Sequence, residues 1–165
     1  MDVFIARQPI FDRSMRVYGY ELLYRQNSKN SFVSVDDDLA TAEVLYNTFL
    51  VVGIDALTDG TRAFINFSKE LVNSDVLLML PKQKVVVEVL ERDSATQSVV
   101  DACRRIRSKG YQLALDDFVW DDDNRPLLEC ADIIKVEFPS LDIETQKKLI
   151  KKYKSKRRFL AEKIE

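Results

Sequence analysis

Six acidic residues, Glu21, Glu88, Glu91, Asp116, Asp117 and Glu162, fall at or near the C-terminal ends of predicted strands, and Asn66 and Lys135 occupy equivalent places. In an α/β chain the strand ends and the loops after them form the open rim where reacting groups collect. Carboxylates gathered there repel one another unless cations hold them. Oxygen donors of this kind suit hard divalent ions, and therefore phosphate chemistry. Asp116-Asp117 is the sharpest local signal. Side chains of successive strand residues diverge, but the backbone turns at the strand end, so both carboxylates can face one site. One can then bridge two ions while the other holds the second. Glu88 and Glu91 can ligate metal and brace a loop, and Asn66 offers a neutral oxygen. Lys135 lies inside the apolar run Ile133-Ile134-Lys135-Val136 and must either reach a carboxylate or extend to the surface. Taken singly, each has a plainer alternative: an acidic turn, an exposed strand end before a helix cap, a turn asparagine. Their recurrence at the same end of successive strands is the argument for a site.

These positions presuppose a set of elements. Residues 3–5 and 16–24 read as two strands, and the turn-rich link between them (Pro9, Asp12, Arg13, Ser14) suits an antiparallel pair. Asp36-Asp37-Asp38 then opens a helix with apolar residues at helical spacing from Leu39 to Val52, stopped by Gly53. After that the chain alternates. Strands are predicted over 63–67, 84–90, 111–115, 132–138 and 159–164. Helices are predicted near 69–73, over 94–108 with Ser94 and Gln97 as a capping box, as one turn at 127–130, and over 141–153. This β-β-α order followed by β-α units predicts one domain over 1–165: a mainly parallel sheet with helical crossovers, curled toward a (β/α) barrel. The chain stops as a strand delivers Glu162, so the barrel is expected to be incomplete, with the last helix and strand missing. Such an open edge makes a homodimer plausible.

Composition narrows the function classes. The chain has 165 residues, 32% of them charged, yet a net charge of only −2, which argues against a general DNA or RNA binder. The basic run 147–158 reads as a solvated helix face and the approach to the next strand. There is no histidine, which removes histidine-based acid–base catalysis, Ser-His-Asp triads and histidine metal sites. Cys103 and Cys130 lack CxxC spacing and read as buried thiols of a cytoplasmic protein. No apolar run approaches the ~20 residues of a membrane span, and the N-terminus has no signal-peptide pattern.

The same residues carry a resemblance. The chain resembles an EAL domain, the bacterial module that hydrolyses or senses cyclic di-GMP. The Glu-x-Leu-x-Arg signature is matched by Glu21-Leu22-Leu23-Tyr24-Arg25, and the Asn-bearing strand by Phe64-Ile65-Asn66-Phe67-Ser68. Glu88-Val89-Leu90-Glu91, Asp116-Asp117-Phe118, the strand around Lys135 and Ala161-Glu162 match further elements in order and spacing. The opening from Ile5 to Phe11 is similar to proteins that join an EAL domain to a C-terminal HDOD domain. The resemblance implies a two-metal Mg²⁺ or Mn²⁺ site held by Glu21, Asn66, Glu88, Asp116, Asp117 and Glu162. It implies catalytic roles for Lys135, Glu91 and Glu162, and contacts of Arg25 and Leu23 with cyclic di-GMP. The pattern departs after Asp117, where a Gly-Thr-Gly-type loop is replaced by Val119-Trp120-Asp121. It departs again at Glu137, one methylene longer than the family's aspartate. The expected function is a signalling module that binds metal or cyclic di-GMP with little or no turnover. The alternatives are an active phosphodiesterase giving the linear dinucleotide, or a purely structural interaction module.

Overall fold

The computed structural model describes residues 4–12, 14–25, 45, 52–90, 96–116, 125–137 and 142–162; for Phe4, Tyr24, Arg25, Leu90, Glu137 and Glu162 it describes the backbone only. Two strands, β1 (Phe4–Phe11) and β2 (Val17–Arg25), form the antiparallel pair. They are followed by α1 (Ile54–Thr58), β3 (Arg62–Phe67), α2 (Lys69–Asn73), a 3₁₀ turn (Val76–Met79), β4 (Val85–Leu90) and α3 (Gln97–Ser108). Then come β5 (Gln112–Asp116), α4 (Arg125–Cys130), β6 (Ile133–Glu137), α5 (Ile143–Tyr153) and β7 (Arg158–Glu162). The seven strands lie in chain order, and every pair from β2 to β7 is parallel. The sheet curls into a half-barrel, incomplete as expected.

The period-2 alternation of strands divides the side chains between two layers. On the outer face Ile65, Phe67, Val85, Val87, Val89, Leu113, Leu115 and Ile134 pack with Val99, Val100, Cys103, Ile106, Leu127 and Leu128 of the helices. On the inner face Phe64, Val86, Ala114 and Ile133 form a second apolar layer with Ile10, Tyr18 and Leu160. The continuous run Val85-Val86-Val87 is therefore covered on both sides, as its composition requires. Burial also pushes the Cys103 thiol up to about 12, helped by neighbouring Cys130, which keeps it a packing group. Among the described residues no helix is long and apolar enough to cross a membrane.

Register near the start of β2 is set by a bulge. Ile10 lies opposite Gly19 and Phe11 opposite Val17, so Tyr18 is the extra residue. Tyr18 meets Phe64 edge-on with ring centroids 6.0 Å apart. The Phe64 ring also fills the space beside Gly19, where a Cβ would come within 2.8 Å of Phe64 Cε2 and of the Arg62 carbonyl oxygen.

Two expectations need correction. The first strand runs on to Phe11 and includes Pro9, because β1 is an edge strand and a missing N–H there costs no ladder bond. The turn begins instead at Asp12, whose carboxylate accepts from the amides of Ser14 at 2.8 Å and Arg16 at 3.0 Å. Val52 and Gly53 are non-helical, and a short helix that the sequence reading did not include, α1, follows them. Helix α3 starts from Thr96, and the Gln97 amide donates to Asp101 at 2.8 Å instead of closing a capping box. The helix expected from Asp36 and the residue Ser94 lie outside the described residues, apart from Leu45, which is helical and buried.

Candidate metal centre

Each inner-face strand that contributes an apolar residue to the barrel interior contributes a polar one two positions later. Phe64 is followed by Asn66, Val86 by Glu88, Ala114 by Asp116 and Ile133 by Lys135. Glu21 stands two positions beyond Gly19 on β2. The alternation that buries the lower layer thus lifts these five side chains to one level of the rim.

They converge. Lys135 Nζ lies 2.9 Å from Glu88 Oε1, 3.0 Å from Asp116 Oδ1 and 3.3 Å from Glu21 Oε2. Asn66 Nδ2 donates to Glu21 Oε1 at 3.4 Å. Glu21, Glu88 and Asp116 each present an oxygen within 4.8 Å of the other two. The lysine side chain is 2% exposed and that of Glu88 0%, while those of Glu21 and Asp116 reach the rim at 12% and 11%. The lysine therefore resolves the choice posed by its sequence position: it reaches carboxylates, three at once.

The charge is not balanced. Three carboxylates face one ammonium, a local net charge of about −2 if all ionise. Burial drives the Glu88 carboxyl well above the usual carboxylate range; Lys135 opposes the rise, and the charges of Glu21 and Asp116 add to it. Lys135 meets Glu88 Oε1 at 2.9 Å, and Glu88 Oε2 is buried with no hydrogen-bond partner among the described residues. A tight buried carboxylate cluster of this kind fits a hard divalent cation, which accepts several oxygens with loose angular demands. Glu21, Glu88 and Asp116 are the residues that would hold it, with Asn66 as a neutral neighbour.

The other predicted site residues are placed less fully. Leu23 lies on β2 two residues past Glu21 and faces the same way, opposite Ala6 of β1. Arg25 ends β2 opposite Phe4, and Glu162 ends β7 opposite Glu137, with their side chains outside the described set. Glu91 and Asp117 lie outside the described residues.

No family model matches the chain. It is 37% identical, across its whole length, to the uncharacterised protein YuxH of Bacillus subtilis. It is 34% identical, over 98% of its length, to the cyclic di-GMP phosphodiesterase CdgJ of Vibrio cholerae. The chain spans 42% and 38% of those relatives' lengths. Among solved structures it is similar to the YkuI protein of Bacillus subtilis, which has an EAL domain and is bound to its substrate c-di-GMP and calcium. The TM-score is 0.71 at 17% identity, covering 99% of this chain and 50% of that one. The strand order, the polar layer above the inner core and this likeness give one description: the chain has the fold of an EAL domain.

Proposed function

We propose that this chain is a bacterial signalling domain that binds divalent metal and cyclic di-GMP at the rim of its half-barrel. The observation that carries the reading is the convergence of Glu21, Glu88 and Asp116 within 4.8 Å of one another, where a metal-ligating carboxylate set is expected from the motifs. Asn66, Asp117 and Glu162 would complete the ligand set around Mg²⁺ or Mn²⁺. A bound divalent pair supplies Lewis-acid polarisation of a phosphodiester and a more acidic water. The chain's own contribution is electrostatic. Lys135 holds the carboxylates together and offers an ammonium donor on the same rim. Arg25 and Leu23 would meet the nucleotide, and Glu91 would brace the loop after β4. The altered sequence after Asp117 favours binding with slow or absent turnover.

A second reading, metal-dependent hydrolysis to the linear dinucleotide, is supported by the identity with CdgJ. One experiment separates the two. Cyclic di-GMP is titrated calorimetrically with Ca²⁺ present, then incubated with Mn²⁺, and the products are separated. Saturable binding with no linear product supports the binding module, and linear product supports the phosphodiesterase. Absence of binding under both ions overturns both readings and leaves a structural module. The similarity of the opening segment supports an HDOD domain as the partner within a longer chain.

A further inference from the structure

The opposite end of the half-barrel carries two arginines that no carboxylate of the described residues pairs with. Arg62, Gln112 and Arg158 each stand two residues before an inner-face core residue, Phe64, Ala114 and Leu160, at the N-terminal ends of β3, β5 and β7. Tyr18, at the start of β2, completes this floor. The Arg158 guanidinium carbon lies 4.6 Å from the Tyr18 ring centroid and that of Arg62 lies 5.2 Å from the same centroid. Among the described residues neither guanidinium meets a carboxylate or donates a hydrogen bond. The other arginines whose side chains are described all do one or the other: Arg7, Arg16, Arg104, Arg105, Arg107 and Arg125 pair with carboxylates, and Arg157 donates to the carbonyls of Leu128 and Glu129. The Tyr18 hydroxyl is buried with no hydrogen-bond partner.

Two cations over one ring are each attracted to its face but repel one another. A buried hydroxyl left without a partner costs roughly 1–3 kcal/mol. An oxyanion between these groups removes both penalties. We propose that the barrel floor binds a phosphate group, with Arg62 and Arg158 supplying charge and forked donors and the Tyr18 hydroxyl an oriented donor. The Gln112 amide lines the same space. Beside Tyr18 and Arg158, with Arg62 outside its lining, a groove of about 980 Å³ runs between the β1–β2 turn and β7, with apolar walls that include Phe11, Ile133 and Leu160. Its two acids are already engaged, Asp12 by Arg16 and Asp132 by Arg107. The groove has room for the organic body of a phosphate monoester. The site lies at the other end of the strands from Glu21, Glu88 and Asp116 and does not depend on them.

The test is calorimetric titration of the chain with inorganic phosphate and, separately, phenyl phosphate, at constant ionic strength with EDTA present so that no metal-bound phosphate contributes. Saturable binding is expected. Arg158→Gln and Arg62→Gln should each weaken it about tenfold, the loss of one charge-assisted contact. Tyr18→Phe keeps the ring and should weaken it severalfold, while Lys151→Gln on the exposed face of α5 should leave it unchanged. Tighter binding of phenyl phosphate assigns the site to a monoester, and equal binding to free phosphate. Heat that does not saturate, or full affinity in Arg158→Gln, overturns the proposal; Arg158 is exposed, so that variant does not threaten the fold.

Discussion

Lys135 and Glu88 approach to 2.9 Å in the interior of the half-barrel, with both side chains at or below 2% exposure. A lysine so deeply placed is tolerated because its ammonium is shared by three carboxylates, and they are tolerated together because of it. Removing one partner of a buried ion pair leaves an uncompensated charge and costs about 3–5 kcal/mol. Lys135→Met should therefore destabilise the metal-free chain by about that much. Urea unfolding in EDTA measures it. Saturating Ca²⁺ should recover most of the loss, because the ion replaces the missing positive charge. An unchanged midpoint in EDTA would show that the ammonium is not the compensating charge.

Glu88 gives the cluster a pH signature. Its folded pKa is raised, chiefly by burial. The folded state then holds a proton that the unfolded state releases near 4.5, so this group's contribution to stability is full below that pH and is lost as pH rises toward the folded value. Asp12, Asp59 and Asp142, whose carboxyls are held low by hydrogen bonds, act in the opposite sense at lower pH. Glu88→Gln removes the first effect and leaves the others. In EDTA the difference in stability, variant minus parent, should grow as pH rises from 4.5 toward neutrality. A flat difference would contradict the buried, high-pKa assignment.

The sheet was legible from sequence because period-2 patterning and turn residues act locally; the site was legible only in part. Lys135 posed a choice between a carboxylate and the surface, but deciding it requires the register of strands that bring it to Glu21, 114 residues away. Pro9 suggested a turn because its lost N–H is a penalty everywhere except at an edge, and edge position is a property of the whole sheet. The floor residues gave a weaker signal still. Arg62 and Arg158 look like ordinary polar strand starts until the phase of Phe64 and Leu160 fixes which way they face.

Gly19 is held by proximity rather than by its backbone conformation. A methyl group there would press on the Arg62 carbonyl oxygen and on Phe64, both at 2.8 Å, and a backbone oxygen on a central strand yields little. Gly19→Ala should cost about 1–3 kcal/mol by overpacking, read as a lowered melting temperature. Because the displaced strand carries Glu21, metal affinity should fall with it. A variant as stable as the parent would mean that the bulge at Tyr18 absorbs the added volume.

Two substitutions at the rim should move metal affinity in opposite directions. Asp116→Asn keeps the shape of its side chain but deletes one of three anionic ligands, and affinity for a hard divalent ion depends on ligand charge. Calorimetric Ca²⁺ or Mn²⁺ titration should show weakening on the order of tenfold or more. Asn66→Asp adds a fourth carboxylate beside Glu21, whose oxygen now accepts from the Asn66 amide at 3.4 Å. That variant should bind metal more tightly while its metal-free form unfolds at lower urea, since among the described residues Lys135 alone offsets the added repulsion. Opposite shifts in affinity, with the stability cost confined to EDTA, are the signature of a site built to share one set of oxygens between an internal ammonium and an incoming cation. Parallel shifts would place the ion elsewhere.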